Sequence, residues 1–278
     1  MIGGVFGLPA DYHIHTKRCG HATGEMGEYL AEAIKKGIWE VGFADHFPLY
    51  FQSRDKRDQQ IAMDECEIDY YISDLIMLRH QESRRVNVRL GFEVDYIPGH
   101  EEFLKKTLRQ YPLDYVLGSV HYIDGWAFDH PDFTDKYAAS NIDEVYHRYF
   151  QLVREAARSG LFDIMAHADL IKKFNYHPSA DFNLLEEYRK TARVFSEASV
   201  CVEVNTAGLR SPVGEIYPTL DFLKLCREYM VPVTLGSDAH RPDQVGQDFD
   251  RATALLKSVG YRETAVFQFR KIIGSVAI

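Results

Sequence analysis

The chain has 278 residues, 46% hydrophobic and 26% charged, which is typical of a globular protein and excludes a disordered, collagen-like or coiled-coil chain. Its 32 basic and 41 acidic side chains give a formal net charge of −9, so it lacks the basic excess that non-specific binding to nucleic acid or to an anionic membrane requires. No run of about 18 uncharged apolar residues is present, which argues against a membrane-spanning segment.

The N-terminal stretch and the cysteines favour a cytoplasmic location. Residues 1–15 (MIGGVFGLPADYHIH) carry no positively charged segment ahead of apolar residues, as a secretory signal peptide would. The four cysteines form no CxxC pair and are too few to cross-link a chain of this length, so we expect reduced thiols: Cys19, Cys66, Cys201 and Cys226.

Short β-rich segments alternate with amphipathic helical segments along the chain. The predicted strands are 11–15, 40–44, 87–94, 114–120, 162–166, 199–204 and 231–236. The predicted helices are 25–36, 67–82, 100–110, 142–158, 183–198, 217–229 and 249–258. Seven such strand–helix units indicate an α/β fold with a parallel sheet, either closed as a barrel or doubly wound. No repeat or linker marks a boundary, so we expect a single domain over residues 1–278.

Two connections between the predicted elements are long. Residues 45–66 contain the charged run SRDKRDQQ, and we expect them to form a solvated excursion rather than a lid. Residues 121–141 combine aromatic and acidic side chains, which favours a wall of the active site. Long loops within a compact domain are usually functional or disordered.

Polar side chains that can bind metal lie at or just after the C-terminal end of each predicted strand. In chain order they are His13 and His15, Asp45 and His46, Glu93, His121, His167, Asn205, and Asp238 with His240. Active sites of α/β barrels are built at the C-terminal ends of the strands. Because seven strands contribute in this way, we expect the side chains to converge there.

The spacing of these residues suits divalent metal ions. His13 and His15 are two residues apart on an extended segment, so their side chains share one face, and Asp238 and His240 repeat this spacing. Nine candidate ligands are too many for one ion with an open position, so two or three ions are expected. The nine are His13, His15, His21, His46, Glu93, His121, His167, Asp238 and His240.

Other interpretations exist for single residues of this set. His167 could be a hydrogen-bonded core histidine, and His21 could be an ordinary loop histidine. Glu93 lies in an apolar strand, where a buried carboxylate requires a cation or a proton. Cys19 could also bind metal, and its thiolate would favour softer ions. The joint placement of the ligands at strand ends favours the metal interpretation.

At these residues the chain resembles the PHP (polymerase and histidinol phosphatase) family, and within it the histidinol-phosphatase branch. The matching segments are DYHIHTKRCGHA (11–22), FADHFP (43–48), GFEVDY (91–96), GSVHY (118–122), MAHADLIKKF (165–174), EVNTAGLR (203–210) and LGSDAH (235–240). The metal motifs are shared by the family as a whole. CGHA, HADLIKKF and NTAGLR resemble the histidinol-phosphatase branch.

The resemblance implies an α/β fold, a distorted seven-stranded (β/α)7 TIM-like barrel, with two to three divalent ions of zinc, manganese or iron. By resemblance, one ion is held by His13, His15, Glu93 and Asp238. A second is held by Glu93, His121 and His167, so that Glu93 bridges the two. A third is held by His21, His46 and His240. No ligand is missing, which favours an active enzyme over a structural remnant.

The resemblance also implies an activity, the hydrolysis of L-histidinol phosphate to L-histidinol and phosphate in histidine biosynthesis, by a hydroxide that bridges the metal ions. The catalytic candidates are Glu93, Asp238 and His240. The substrate-binding candidates are Arg210, whose guanidinium suits bidentate phosphate recognition, Asn205 and Lys172. Asp45 and Asp169 adjoin ligand histidines and are expected to support them.

Two alternatives stay open at this point. The protein could be a PHP phosphoesterase that acts on another small phosphomonoester or a nucleotide, with the same metal centre. It could also be a non-catalytic, metal-stabilised domain, although such a domain would be expected to have lost ligands. We expect a small phosphorylated substrate and neither nucleic acid nor membrane as partner. The sequence leaves the oligomeric state open, a homodimer included.

Overall fold

The computed structural model describes residues 8–278; residues 1–7, part of the stretch considered above for a signal peptide, lie outside the described residues. The strands are β1 (Asp11–Ile14), β2 (Glu40–His46), β3 (Asn87–Asp95), β4 (Leu117–Ser119), β5 (Tyr122–Ile123), β6 (Trp126–Ala127), β7 (Ile164–Met165), β8 (Cys201–Asn205), β9 (Val233–Gly236), β10 (Glu263–Gln268) and β11 (Lys271–Ala277).

Seven strands of the described residues close into a parallel barrel in the order β1, β2, β3, β4, β7, β8, β9, with β9 pairing back to β1. The predicted TIM-like (β/α)7 barrel is therefore confirmed, and the doubly wound alternative is excluded. The longest pairing joins β2 and β3 over seven positions, from Glu40 beside Asn87 to His46 beside Glu93. This register places a histidine and a carboxylate next to each other at the C-terminal end of the barrel.

Helices cover the outside of the barrel and bury their apolar faces against it. They are α1 (Met26–Lys35), α2 (Ile68–Glu82), α3 (Glu101–Leu108), α4 (Asp135–Ala138), α5 (Ile142–Arg158), α6 (Leu184–Ala198), α7 (Leu220–Glu228) and α8 (Phe249–Ser258). The seven helices predicted from hydrophobic periodicity are all present, with ends within three residues of the prediction. In the described residues, none of the helices is both long enough and apolar enough to cross a bilayer.

A C-terminal hairpin, β10–β11, closes the end of the barrel where the strands begin, and the sequence pattern did not predict it. The ring of Phe267 on β10 packs edge-on against Tyr12 at 5.7 Å, and its backbone N–H donates to the Tyr12 hydroxyl at 3.0 Å. Arg270 in the hairpin turn pairs with Asp163, which directly precedes β7. The opposite end of the barrel is left for the candidate site.

Candidate metal centre

The barrel brings the nine predicted ligands together at the C-terminal ends of its strands. His13 lies on β1 and His15 directly follows it, while His46 and Glu93 lie at the ends of β2 and β3. His167 and Asp238 follow β7 and β9 in turns with positive φ, +26° and +53°. Such backbone conformations are uncommon for residues other than glycine and cluster at functional sites.

The carboxylate of Glu93 is at the centre of the cluster and faces five histidines. Its Oε1 lies 2.9 Å from His167 Nε2 and 3.5 Å from His121 Nε2. Its Oε2 lies 2.9 Å from His46 Nδ1, 3.3 Å from His13 Nε2 and 3.5 Å from His15 Nε2. Each oxygen therefore faces a different group of imidazoles, which is the arrangement that a bridging carboxylate needs.

Asp238 and His240 extend the cluster towards His21. Asp238 Oδ1 lies 3.3 Å from His15 Nε2 and 3.8 Å from His13 Nε2. The rings of His21 and His240 stack with their centroids 4.5 Å apart, and His46 lies 5.5 Å from His21. Ligand atoms lie within 4.8 Å of one another in the groups His13–His15–Asp238, His21–His46–His240, His13–Glu93–His167 and His15–His46–Glu93. The second group is identical to a ligand set that the family resemblance implies, and the first is part of another set, which also includes Glu93.

Ring nitrogens that lack a partner show that these residues fit metal ions. Within the described part of the chain, His13 Nε2, both ring nitrogens of His15 and His240 Nε2 are buried without a hydrogen-bond partner. A buried polar atom without a partner is costly, and an imidazole nitrogen can satisfy itself on a metal ion instead. Imidazole and carboxylate ligands suit zinc, iron and manganese. Cys19 also lies within 4.8 Å of His15 and His240, as expected for a residue that could bind metal.

Carboxylates behind the cluster hold two of the ligand histidines. Glu203 Oε1 lies 2.7 Å from His13 Nδ1, and Asp95 Oδ1 lies 2.9 Å from His121 Nδ1. These contacts leave Nε2 of each ring directed at Glu93 and fix the orientation of the ring. Asp45, predicted to support a ligand, lies 3.7 Å from His15 Nδ1 and accepts a hydrogen bond from the Thr16 backbone N–H at 3.0 Å.

Nearby carboxylates raise the pKa of two ligand histidines, His13 and His121. Burial disfavours the charged form of His13, but Glu203, Asp238 and Glu93 outweigh it and hold the pKa of His13 well above its ordinary value. Burial also opposes protonation of His121, yet Asp95 and other carboxylates raise its pKa to about 10. A bound cation would replace such protons.

The pKa of His21 is shifted in the opposite direction. Burial, together with the neighbouring histidines His46 and His15, lowers the pKa of His21 to about 4. Its imidazole is therefore neutral at pH 7 and needs to lose no proton before it binds an ion.

Two of the predicted substrate-binding residues, Asn205 and Arg210, lie beside the cluster. Asn205 Nδ2 donates to Glu203 Oε2 at 3.0 Å and lies 3.3 Å from Asp238 Oδ2, so Asn205 is placed behind the ligands. Arg210 donates from Nη2 to the Ser237 carbonyl at 2.6 Å, and its Nη1 is buried without a hydrogen-bond partner in residues 8–278.

Lys172 and Asp169 form a separate polar group, and this corrects the expectation that Asp169 supports a ligand histidine. Lys172 Nζ lies 3.1 Å from Asp169 Oδ2 and 3.0 Å from Glu215 Oε2. Asp169 also accepts a hydrogen bond from the Thr219 backbone N–H at 2.8 Å. The ammonium of Lys172 is thus occupied by carboxylates and lines a different cavity from the one at the metal cluster.

Two connected cavities open from the cluster. The inner one, about 130 Å³, is lined by His21, His46, Glu93, His121, Asp129, His167, Leu170, Lys173, Asp238 and His240. The outer one, about 420 Å³, shares His21, His46, His121, Asp129 and Lys173 with it. The connection 121–141 lines the outer cavity as expected. The connection 45–66 also lines it, through Asp58, Gln60, Ile61 and Ala62, so it is more than a solvated excursion.

Sequence reasoning missed three polar residues of the centre: Asp95, Asp129 and Lys173. Asp95 lies two residues after Glu93 on β3, so the strand period of two could have identified it. Asp129 and Lys173 come from loops, where the sequence carries no periodic signal. Lys173 directly follows Lys172, the lysine that the sequence predicts to bind substrate.

Comparisons with known proteins agree with this geometry. The sequence model of the PHP domain matches residues 11–207. The chain is 38% identical over 263 residues to a Deinococcus radiodurans protein named "Probable histidinol-phosphatase", covering 94% of this chain and 97% of that protein. It is 28% identical over 261 residues to the histidinol-phosphatase of Bacillus subtilis, covering 86% of this chain and 96% of that protein.

A solved structure shares the fold. It is the histidinol phosphate phosphatase of Lactococcus lactis subsp. lactis in complex with zinc, L-histidinol and phosphate, which matches with a TM-score of 0.81 and 20% identity. The match covers 96% of this chain and 99% of that one. The family match spans more than half of the chain, and one relative is well above 30% identity over almost all of it. The chain belongs to the PHP domain family.

Proposed function

We propose that the protein is a metal-dependent phosphomonoesterase that hydrolyses L-histidinol phosphate to L-histidinol and phosphate, a step of histidine biosynthesis. The observation that carries the proposal is the Glu93 carboxylate, which faces five histidines at the C-terminal end of a PHP barrel. The relatives named histidinol-phosphatase cover nearly the whole chain and support the choice of substrate.

The ligand sets follow the family resemblance. His13, His15, Glu93 and Asp238 would hold one ion, Glu93, His121 and His167 a second, and His21, His46 and His240 a third. Zinc is the first choice, since the related Lactococcus lactis structure contains it. Divalent ions would supply a hydroxide nucleophile at neutral pH and neutralise the phosphoryl oxygens.

The protein's own side chains then orient the ligands and the phosphate. Glu93 and Asp238 direct the imidazoles, and Asn205 donates a hydrogen bond to the Glu203 that holds His13. Arg210 is the candidate for a phosphate oxygen, because its Nη1 is buried and needs an acceptor. Lys172 is assigned a structural role beside Asp169 and Glu215.

We assign this activity to one domain of residues 1–278 and place it in the cytoplasm. The cysteines of the chain are free, as the sequence predicts for reduced thiols. The outer cavity of about 420 Å³ has the size of a small-molecule site, which favours a small phosphorylated substrate over a polymer.

The test is phosphate release by zinc-loaded protein from L-histidinol phosphate and from a panel of sugar phosphates and nucleotides. We expect kcat/KM of about 10⁴ M⁻¹s⁻¹ or more for L-histidinol phosphate, the normal range for a true substrate, and at least about a hundredfold preference over the panel, or about 2.7 kcal/mol in the transition state. Equal rates over the panel would favour a broader PHP phosphoesterase. Absence of any phosphatase activity would favour a non-catalytic domain.

A further inference from the structure

The inner cavity contains few groups that could donate a proton. Seven of its ten lining residues are the proposed metal ligands His21, His46, Glu93, His121, His167, Asp238 and His240. The other three are Asp129, Leu170 and Lys173. The side chain of Leu170 is apolar and has no proton to give. Among the residues that line the inner cavity, the choice of a proton donor therefore falls on Asp129 or Lys173.

Asp129 and Lys173 form an ion pair at the junction of the two cavities. Lys173 Nζ donates to the Asp129 carbonyl oxygen at 2.8 Å and lies 3.2 Å from Asp129 Oδ2. A carboxyl group that faces an ammonium is ionised, so Asp129 accepts hydrogen bonds rather than donating them. Asp129 thus holds the ammonium of Lys173 at the wall of the cavity.

Hydrolysis of an alkyl phosphomonoester needs a proton at the leaving oxygen. The departing alkoxide is strongly basic, and a positioned acid that protonates it contributes about 10²–10⁴-fold to the rate. The ammonium of lysine has three N–H donors, and an alkylammonium is a much stronger acid than an alcohol, so transfer of its proton to an alkoxide is favourable.

Building on the proposed function, we propose that Lys173 is the general acid that protonates the leaving alcohol. As water-derived hydroxide forms its bond to phosphorus, the bond from phosphorus to the alkyl oxygen breaks. The electron pair of that bond stays on the alkyl oxygen, which takes a proton from Lys173 Nζ and leaves as the alcohol. The neutral amine of Lys173 then takes a proton from water. The hydroxide that this releases replaces the one that was consumed in the attack on phosphorus.

The alternative role for a cation at this place is to bind a phosphoryl oxygen. Substrates with different leaving groups distinguish that role from the role of a general acid. L-Histidinol phosphate has an alkyl leaving group that needs a proton, whereas p-nitrophenyl phosphate releases a stabilised phenolate that does not. A phosphate-binding residue would serve both substrates equally. An acid would serve only the alkyl phosphate.

The experiment compares Lys173→Met and Lys173→Arg with the wild type on both substrates, each protein zinc-loaded and matched for zinc content. We expect both variants to lose at least about a hundredfold in kcat on L-histidinol phosphate and less than tenfold on p-nitrophenyl phosphate. Arginine keeps the positive charge but cannot release its proton, so K173R should not rescue the alkyl substrate. Lys35→Met, at a side chain that is 74% exposed on α1, controls for the loss of a lysine.

The affinity for inorganic phosphate, measured by calorimetry, gives a second readout. For a general acid it should change by less than about threefold in K173M. A parallel loss on both substrates, rescue by K173R, or much weaker phosphate binding would overturn the proposal in favour of a phosphate-binding role. An unchanged rate on the alkyl substrate would also overturn it.

The wild-type rates separate this proposal from the proposed function. If wild-type protein cleaves other alkyl phosphates but not L-histidinol phosphate, the substrate assignment fails, and the same comparison is made with the alkyl phosphate that it does cleave. If the wild type cleaves no phosphomonoester, both proposals fail.

Discussion

Four ligand histidines direct one ring nitrogen into the metal cluster and hydrogen-bond through the other to a carboxylate or a backbone carbonyl. His13 and His121 contact carboxylates through Nδ1, at 2.7 Å and 2.9 Å. His21 and His240 direct Nδ1 to backbone carbonyls, at 2.9 Å from Gln60 and 3.1 Å from Asp238. Each acceptor selects the tautomer that leaves Nε2 free for an ion.

Glu203→Gln tests this support. Glu203 Oε1 contacts His13 Nδ1, and Oε2 accepts the backbone N–H of His167 at 2.9 Å, so one carboxylate orients two ligands. The amide keeps the size but loses the charge, and we expect zinc affinity to fall about 10–100-fold. Competition with a chromophoric chelator measures the zinc affinity of both proteins. Glu102→Gln, at a side chain that is 90% exposed on α3, should leave the affinity unchanged, and an unchanged affinity in E203Q would contradict the orienting role.

How much of the site the sequence predicts depends on where each residue lies. Eight of the nine ligands lie at or just after the end of a strand, and the parallel arrangement of strands brings those ends together, so position along the chain predicts that the eight form one cluster. His21 lies instead in the loop after β1. Asp129 and Lys173 meet only because two loops fold over the same cavity. Such contacts between loops depend on tertiary packing that local periodicity does not encode.

Among the secondary-structure elements, the C-terminal hairpin β10–β11 is one that the sequence pattern does not predict. Helices such as α5, with buried Tyr146, Tyr149 and Val153 on one face, repeat a helical period that is visible in the sequence. The β10–β11 turn instead places Phe269 and Arg270 at φ of +51° and +62°. Tight hairpin turns of this kind favour asparagine and glycine, so the usual hairpin signal is missing.

The hairpin is expected to stabilise the barrel through Phe267. Its side chain is buried among Tyr12, Tyr115 and Leu117, so Phe267→Ala should lower the free energy of unfolding by about 3–5 kcal/mol. Phe269→Ala is the matched control, because Phe269 is 65% exposed two residues later, and the expected change is within about 0.5 kcal/mol. Urea unfolding of zinc-loaded proteins measures both. Equal effects of the two substitutions would show that the hairpin does not close the barrel end.

Across the whole molecule, the apolar core and the polar centre occupy different parts of the barrel. The main core lies between the strands and the surrounding helices, with Phe43, Leu75 and Phe195 among its buried members. A second apolar cluster, which includes Tyr12 and Phe267, fills the end that the hairpin closes. The metal ligands lie at the opposite end. The core can therefore form without ions, whereas the ligand end carries buried charges and, within residues 8–278, imidazole nitrogens without hydrogen-bond partners.

Removal of metal should consequently weaken the protein without unfolding it. An ion held at about a thousand times its Kd contributes about 4 kcal/mol to the folded state, and for a domain of this size each kcal/mol shifts Tm by about 2 °C or more. We expect EDTA to lower Tm by at least about 8 °C, while the far-ultraviolet circular dichroism at 25 °C stays unchanged because the apolar core is intact. Zinc added in excess should restore Tm, and magnesium, which prefers oxygen ligands, should not. Loss of the helical signal on chelation would show that the ions hold the barrel together, and an unchanged Tm would show that the cluster binds no ion.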